Sequence, residues 1–339
     1  MPHLEIATTT ASPVPNQRQP PHLFARFLPK RTLPAGRIPV LPGLSLRLPI
    51  GPLAGAAAMP SLGRIGALEV RLARTVGEVK QAQALRYRVF YEEMSAAPDA
   101  RALLTRRDAD EFDAICDHLL VIDHAAPKVG AFGRRHPPIV GTYRLLRQEI
   151  AEPHGGFYTA REFEIEALIA RHPGARFLEL GRSCVLPAYR GKRTVELLWQ
   201  GVWAYVLKYR IDIMIGCASL EGTDPHRLAG ALSFLHHNAR AADEWHVAAL
   251  PARHVAMNRV SPDGVDMRQA VNTLPPLIKG YLRLGAMIGD GAVVDYQFGT
   301  IDVCMILPVS RISQRYIDFY GADAGRRAPD RSRGVLQTT

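Results

Sequence analysis

The stretch "FLELGRSCVLPAYRGKRTVELLW", Phe177–Trp199, begins as a strand and ends as a helix. Apolar residues run to Val185, Pro187 stops the run, and helical spacing takes over from Thr194. The strand carries Glu179 and Arg182, three positions apart. On a regular strand such a pair points to opposite faces, so one of the two meets core or cleft unless a bulge re-aims it. Charges seldom enter a core unpaired. Two readings follow: a structural ion pair between Glu179 and Arg144 on a neighbouring strand, or a cleft carboxylate that takes a proton.

The turn after the strand is Arg190-Gly191-Lys192-Arg193-Thr194. Unpaired N–H groups at a helix N-terminus attract anions, and basic side chains add to the effect. A phosphate or phosphopantetheine suits this turn; a solvated basic turn is the plainer reading. No G-x-x-x-x-G-K-[ST] is present, so a nucleotide P-loop is not supported. Upstream, Asp108, Asp110 and Asp113 cluster just before a strand that carries Asp117. Clustered carboxylates either hold a cation, such as a substrate ammonium, or form a solvated acidic loop. The glycine of a Ca²⁺ loop is missing.

Outward from these motifs the elements alternate. "ALEVRLA" (67–73) reads as a strand, followed by a helix that Thr75 can cap, with Glu78 three residues on. "CDHLLVID" and "IVGTYRLLR" read as strands, "FEIEALIARHPG" as a short helix ended by Pro173-Gly174, and "IDIMIGCASLEG" as a buried strand. A helix over Leu228–Asn238 and a last strand over Ile301–Val309 complete the pattern. This order predicts an α/β fold with a mixed central sheet flanked by helices. Residues 67–320 form the domain. Residues 321–339 are a flexible basic tail.

Residues 1–66 differ. Twelve of the 26 prolines lie before residue 61, and seven basic residues stand against Glu5 alone, which reads as a disordered arm. "LPIGPLAGAAAMPSLG" (48–63) is broken by three prolines and does not read as a membrane span. The whole chain, 339 residues with net charge +10, suits an acidic partner: nucleic acid, anionic lipid or an acidic carrier protein. A nucleic-acid module would show a basic stripe with few carboxylates; here Asp108, Asp110, Asp113 and Glu179 interrupt the basic motifs. The four cysteines, 116, 184, 217 and 304, form no metal spacing and read as reduced core thiols. His226, His236, His237 and His254 match no ligand pattern, and neither G-x-S-x-G nor G-x-G-x-x-G appears.

"LRYRVF", Asp110-Glu111-Phe112-Asp113, "VGTYRLL" and Glu179-Leu180-Gly181-Arg182 occur in that order. Together they resemble the GNAT-related acyltransferases that use acyl carrier protein, a group that includes acyl-homoserine-lactone synthases. The motif residues fall on Arg86, Phe90, Asp110, Asp113, Arg144, Glu179 and Arg182. "AYRGKRTVELLWQGVWAYV", "GCASLEGTDP" and the long segment 274–307 look like a sister family, the L-ornithine Nα-acyltransferases of ornithine-lipid synthesis. The resemblance spans about 68 to 320. The usual GNAT phosphate loop, R-x-x-G-x-G/A, is altered, with Arg193 and Val195 at the glycine positions, which puts acetyl-CoA use in doubt.

The resemblance implies a GNAT-like fold with a C-terminal extension. It also implies transfer of a 3-hydroxyacyl chain from acyl carrier protein to the α-amine of L-ornithine, giving lyso-ornithine lipid. Glu179 is then the expected base, with Asp110 next and Arg182 beside them. Asp113, Arg86 and Arg144 would bind substrate or orient the carboxylates. Cys184, Val185 and Leu186 would offer sheet amides to pantetheine, and Arg190, Lys192 and Arg193 would meet its phosphate and the carrier. No bound cofactor or metal is implied. A cytoplasmic location with peripheral contact at the inner membrane is expected, through the arm and Leu274–Ile288. The alternatives are acylation of another amino acid, homoserine-lactone synthesis (which the long portion past residue 220 disfavours), or a basic binding module.

Overall fold

The computed structural model describes residues 60–126, 128–129 and 135–320. Nine strands form its main sheet: β1 (Gly63–Ile65), β2 (Leu68–Leu72), β3 (Asp117–Asp123), β4 (Ile139–Arg147), β5 (Phe177–Val185), β6 (Ile213–Glu221), β7 (His254–Val255), β8 (Met287–Asp295) and β9 (Thr300–Pro308). Their spatial order is β1-β2-β3-β4-β5-β6-β9-β8-β7. Every neighbouring pair is antiparallel except β5–β6. The helices of six residues or more are α1 (Val76–Tyr87), α2 (Ala100–Thr105), α3 (Ile165–Arg171), α4 (Lys192–Tyr209), α5 (Ala229–Ala239), α6 (Met267–Thr273), α7 (Pro276–Leu284) and α8 (Gln314–Tyr320).

Period-two alternation divides the core. Leu119 and Val121 of β3 join Leu197, Val202 and Val206 of α4 in one apolar cluster. Their neighbours Leu120 and Ile122 face α1 through Val79, Ala82 and Leu85. A third cluster, with Phe177, Ile215, Cys304 and Ile306, lies under Phe157, Phe163 and the α3 residues Ile165 and Leu168. Helix α4 crosses between the parallel strands β5 and β6, and its Gly201 lets Val70 and Leu119 approach so closely that a Cβ would lie 2.7 Å from Val70. Helix α1 starts at the expected cap: the Thr75 side chain accepts from the Glu78 N–H at 3.1 Å. It then widens into a π-helical turn, Arg88–Glu93.

Three expectations change. Strand β1 pairs with β2 inside the segment read as an arm, so the sheet begins before residue 67. Residues 1–59 and 321–339 lie outside the described residues, and with them the rest of the arm and the tail. Segment 274–309 ends in the expected last strand, β9, but also holds α7 and β8, which the pattern did not reveal. Its apolar side chains, among them Leu274, Ile278, Tyr281, Leu284, Met287 and Ile288, are buried in the core, so Leu274–Ile288 presents no apolar face for a membrane. Among the described residues no helix is long and apolar enough to cross a membrane.

Candidate active site

The two parallel strands part at the centre of the sheet. β5 and β6 pair only from Phe177–Ile213 to Glu179–Ile215, although β5 continues to Val185 and β6 to Glu221. At the fork the Leu180 carbonyl packs so close to Gly216 that a Cβ there would lie 2.4 Å from its oxygen. Against β4, Arg144 sits opposite Gly181 but Thr142 opposite Cys184, so β5 carries one extra residue. Arg182 takes up that bulge with φ 51°, a left-handed backbone uncommon for a side-chain-bearing residue.

The bulge overrides simple alternation. Glu179 and Arg182 both reach the short helical turn at 158–161. The Tyr158 N–H donates to Glu179 Oε2 at 3.1 Å, while the Tyr158 ring lies 4.9 Å beneath the Arg182 guanidinium. Phe298, from the turn joining β8 and β9, covers Arg182 at 4.8 Å. The expected Glu179–Arg144 ion pair does not form. Arg144 instead closes on Asp110 at 2.6 Å and lies 3.5 Å from Asp113.

Arg86, Asp108, Asp110, Asp113, Arg144 and Arg182 form one network. Arg86 is fully buried and donates to Asp108 at 2.7 Å and to Asp113 at 2.9 Å. Asp113 also receives Gln83 at 3.1 Å. Arg182 Nη2 reaches Asp110 at 3.3 Å. Burial works to raise the Asp113 pKa, but Arg86 and Arg144 outweigh it and hold the group at about 2. Asp110 is likewise held low against its burial, by Arg144 and then Arg182. Arg86, Arg144 and Asp113 thus face one another rather than the cleft. Both arginines are paired with carboxylates of the acidic loop. Arg182 joins the same network more loosely: its Nε lies 3.4 Å from Asp108, and, like Arg86 Nη1, it makes no hydrogen bond among the described residues.

Glu179 is 5% exposed and accepts three hydrogen bonds: Tyr158 N–H, Thr159 N–H at 2.6 Å and the Thr159 hydroxyl at 2.5 Å. Burial raises its pKa even so. On the same face, β6 brings Cys217 and β9 brings Asp302, and the loop 158–163 brings Glu162 over them. Sequence reading missed both Glu162 and Asp302. Glu162 sits in the charge-rich run "AREFEIEAL", where nothing marks one acid over another, and Asp302 hides within an apolar strand. Glu162, Cys217 and Asp302 place three potential ligand atoms within 4.8 Å of one another. A metal there would require the Cys217 thiol to ionise. With no cation present, burial, then Glu162 and Asp302, push its pKa well up, so the thiol rests protonated against the Glu162 carboxylate.

The basic turn lies at the other end of β5. Arg190 is tied down: it is ion-paired with Glu93 and donates to the Val185 carbonyl at 3.0 Å. Lys192 and Arg193, in the first turn of α4, are exposed. Cys184 is buried, and burial pushes its thiol pKa up. Leu186 gives its N–H to Val140 at 2.9 Å. Past Glu179, the β6-facing edge of β5 is left without a strand partner, and this edge includes the Cys184–Val185 segment.

Residues 85–200 match the model of the acetyltransferase (GNAT) domain. The L-ornithine N(alpha)-acyltransferase of Rhizobium meliloti (strain 1021) is 58% identical over 271 residues, which cover 80% of this chain and 90% of that one. The chain belongs to the L-ornithine N(alpha)-acyltransferase family. The enzyme of that name from Agrobacterium fabrum strain C58 is 58% identical over 264 residues, 78% of this chain and 88% of its own. Among solved structures, the AHL synthase LasI covers 80% of this chain and 98% of its own at 12% identity, with a TM-score of 0.40. The protein is an acyltransferase with a GNAT domain.

Proposed function

We propose that the chain moves a 3-hydroxyacyl group from acyl carrier protein to the α-amine of L-ornithine, giving lyso-ornithine lipid. The observation that carries this reading is the fork between β5 and β6. It brings a carboxylate-lined face together with an unpaired strand edge that leads to the basic start of α4. The relatives' name supplies the acceptor.

Thioester and amine approach from opposite sides of the fork. Phosphopantetheine lies along the unpaired edge of β5 near Cys184 and Val185. Its phosphate meets the N-terminus of α4 with Lys192 and Arg193. Arg190, already paired with Glu93, shapes the turn. An acidic carrier protein completes the charge match. The ornithine carboxylate is drawn to the Arg182 guanidinium, whose fork suits bidentate pairing and whose contacts with Asp108 and Asp110, at 3.4 and 3.3 Å, are long enough to be exchanged. Asp110, held ionised between Arg144 and Arg182, carries negative charge to the cationic substrate but binds a proton weakly. Glu179, fixed by three donors, receives the attacking amine. Strand N–H groups at the fork stabilise the oxyanion. No side chain becomes acylated.

The product is an amphiphile, which supports a peripheral position at the inner membrane face. The exposed Leu103, Leu104 and Tyr296 (54, 86 and 79%) offer apolar contacts in place of the buried Leu274–Ile288. Turnover with 3-hydroxyacyl carrier protein, compared with the same chain on coenzyme A, tests the donor. The reading requires the carrier-bound chain to be preferred, and it fails if the coenzyme A ester is used better.

A further inference from the structure

We infer that Glu162, rather than Glu179 or Asp110, takes the proton from the attacking amine, directly or through one water. This rests on the acyl-transfer reading above and assigns its proton acceptor.

The first ground is which carboxylate has room for a proton. Asp108 is held by Arg86 and Tyr91, Asp113 by Arg86, Arg144 and Gln83, and Asp110 by Arg144 and Arg182. Glu179 has both oxygens engaged by three donors. Those hydrogen bonds work against the burial that raises the Glu179 pKa, and they occupy both of its oxygens. Glu162 differs. It is 2% exposed, one oxygen lies 3.2 Å from Arg253, and the other receives only the Cys217 thiol at 3.3 Å. A thiol is a weak donor.

The second ground is position. Glu162 stands over the acceptor face, not behind it. The Thr159 hydroxyl that donates to Glu179 lies 3.8 Å from Cys217 Sγ, and that sulfur lies against Glu162. One hydroxyl and one thiol therefore separate the two carboxylates across the open end of the fork.

The third ground is the charged surroundings. Asp302, Asp295, Arg253 and Cys217 act on Glu162, and Tyr158 and Cys304 also lie within its field. Burial, then Asp302, raise its pKa, Arg253 opposes them, and it settles at about 7. A general base works best when its pKa lies near the working pH.

The proton accounting closes. The substrate ammonium gives one proton to Glu162, and the neutral amine attacks the thioester carbonyl. The C–N bond forms and the C–S bond breaks. The second amine proton goes to the departing thiolate, and Glu162 releases its proton to solvent.

The test is the pH dependence of kcat with saturating ornithine and carrier-bound donor, for wild type, Glu162→Gln and Asp302→Asn. Wild type is expected to lose rate below an apparent pKa near 7. Glu162→Gln is expected to lose at least a hundredfold at pH 7.5 and to lose that limb. Asp302→Asn removes a like charge, so its limb should move down by about one pH unit. This shift can be read even if Glu162→Gln folds poorly. The inference is overturned if Glu162→Gln keeps the limb. It is also overturned if Glu162→Gln raises only the ornithine KM and equalises ornithine with its δ-deaminated analogue norvaline, which would make Glu162 a side-chain contact. If wild type acylates no amine, the transferase reading itself fails, a result these variants cannot mimic.

Discussion

Thr159 holds Glu179 twice, giving its backbone N–H at 2.6 Å and its hydroxyl at 2.5 Å to the same carboxylate oxygen. Two donors from one residue bind a buried charge and the loop above it as a unit. Thr159→Val keeps the shape and one donor. A hydrogen bond to a charged group contributes roughly 1.5–3 kcal/mol, so chemical denaturation should show a loss of about that size. Activity should fall as well, because the loop that carries Tyr158 and Glu162 loses an anchor. Unchanged stability would mean that water replaces the hydroxyl.

Arg86 lies buried between Asp108 and Asp113. Removing one partner of a buried pair leaves an uncompensated charge, at a cost of about 3–5 kcal/mol. Arg86→Met should therefore unfold at much lower denaturant concentration, whereas Arg193→Met, at the exposed start of α4, should change the midpoint little. Near-equal midpoints would contradict the buried network.

The same network sets an acid limit. The folded Asp113 pKa, about 2, lies below its ordinary value of 3.8. A depressed folded pKa contributes stability above the unfolded pKa that is lost as pH falls through the folded one. Wild type should lose stability between about pH 4 and pH 2. Asp113→Asn should start less stable and depend less steeply on pH in that window, as followed by denaturant titration at each pH.

Lys192 and Arg193 are exposed at the start of α4, and neither is tied to Glu93 as Arg190 is. Reversing both to Glu should raise the KM for carrier-bound donor about tenfold at low salt, and added salt should shrink the difference. Turnover of a short, carrier-free thioester should barely change. An equal loss with both donors would place these residues in chemistry or folding instead.

Much of the architecture could be read from local pattern. The Thr75 cap, the short strand runs of β3 and β4 and the spacing of α4 each follow from rules that act within a few residues. What stayed hidden depends on partners distant in sequence. The bulge at Arg182 exists because β5 carries one residue more than β4, a count that no single strand reveals. β8, "MIGDGAVVD", holds two glycines and two acids, so its strand character comes from pairing with β9 rather than from propensity. At the site, the motif residues name the arginines and the acids, but neither which arginine meets which acid nor their mutual burial can be read from them. Glu162 and Asp302 become neighbours only when a loop and a strand from far along the chain meet on one face.

The central claim is acyl transfer to the α-amine of ornithine. The direct measurement incubates purified protein with 3-hydroxyacyl carrier protein and an equimolar mixture of amino acids, and then identifies the products by mass spectrometry. Glu179→Ala and Asp110→Ala are run alongside. The account predicts Nα-(3-hydroxyacyl)ornithine as the dominant product, largely lost in Glu179→Ala. A dominant product on another amine, or no acylated amine from folded protein and intact carrier, would contradict it.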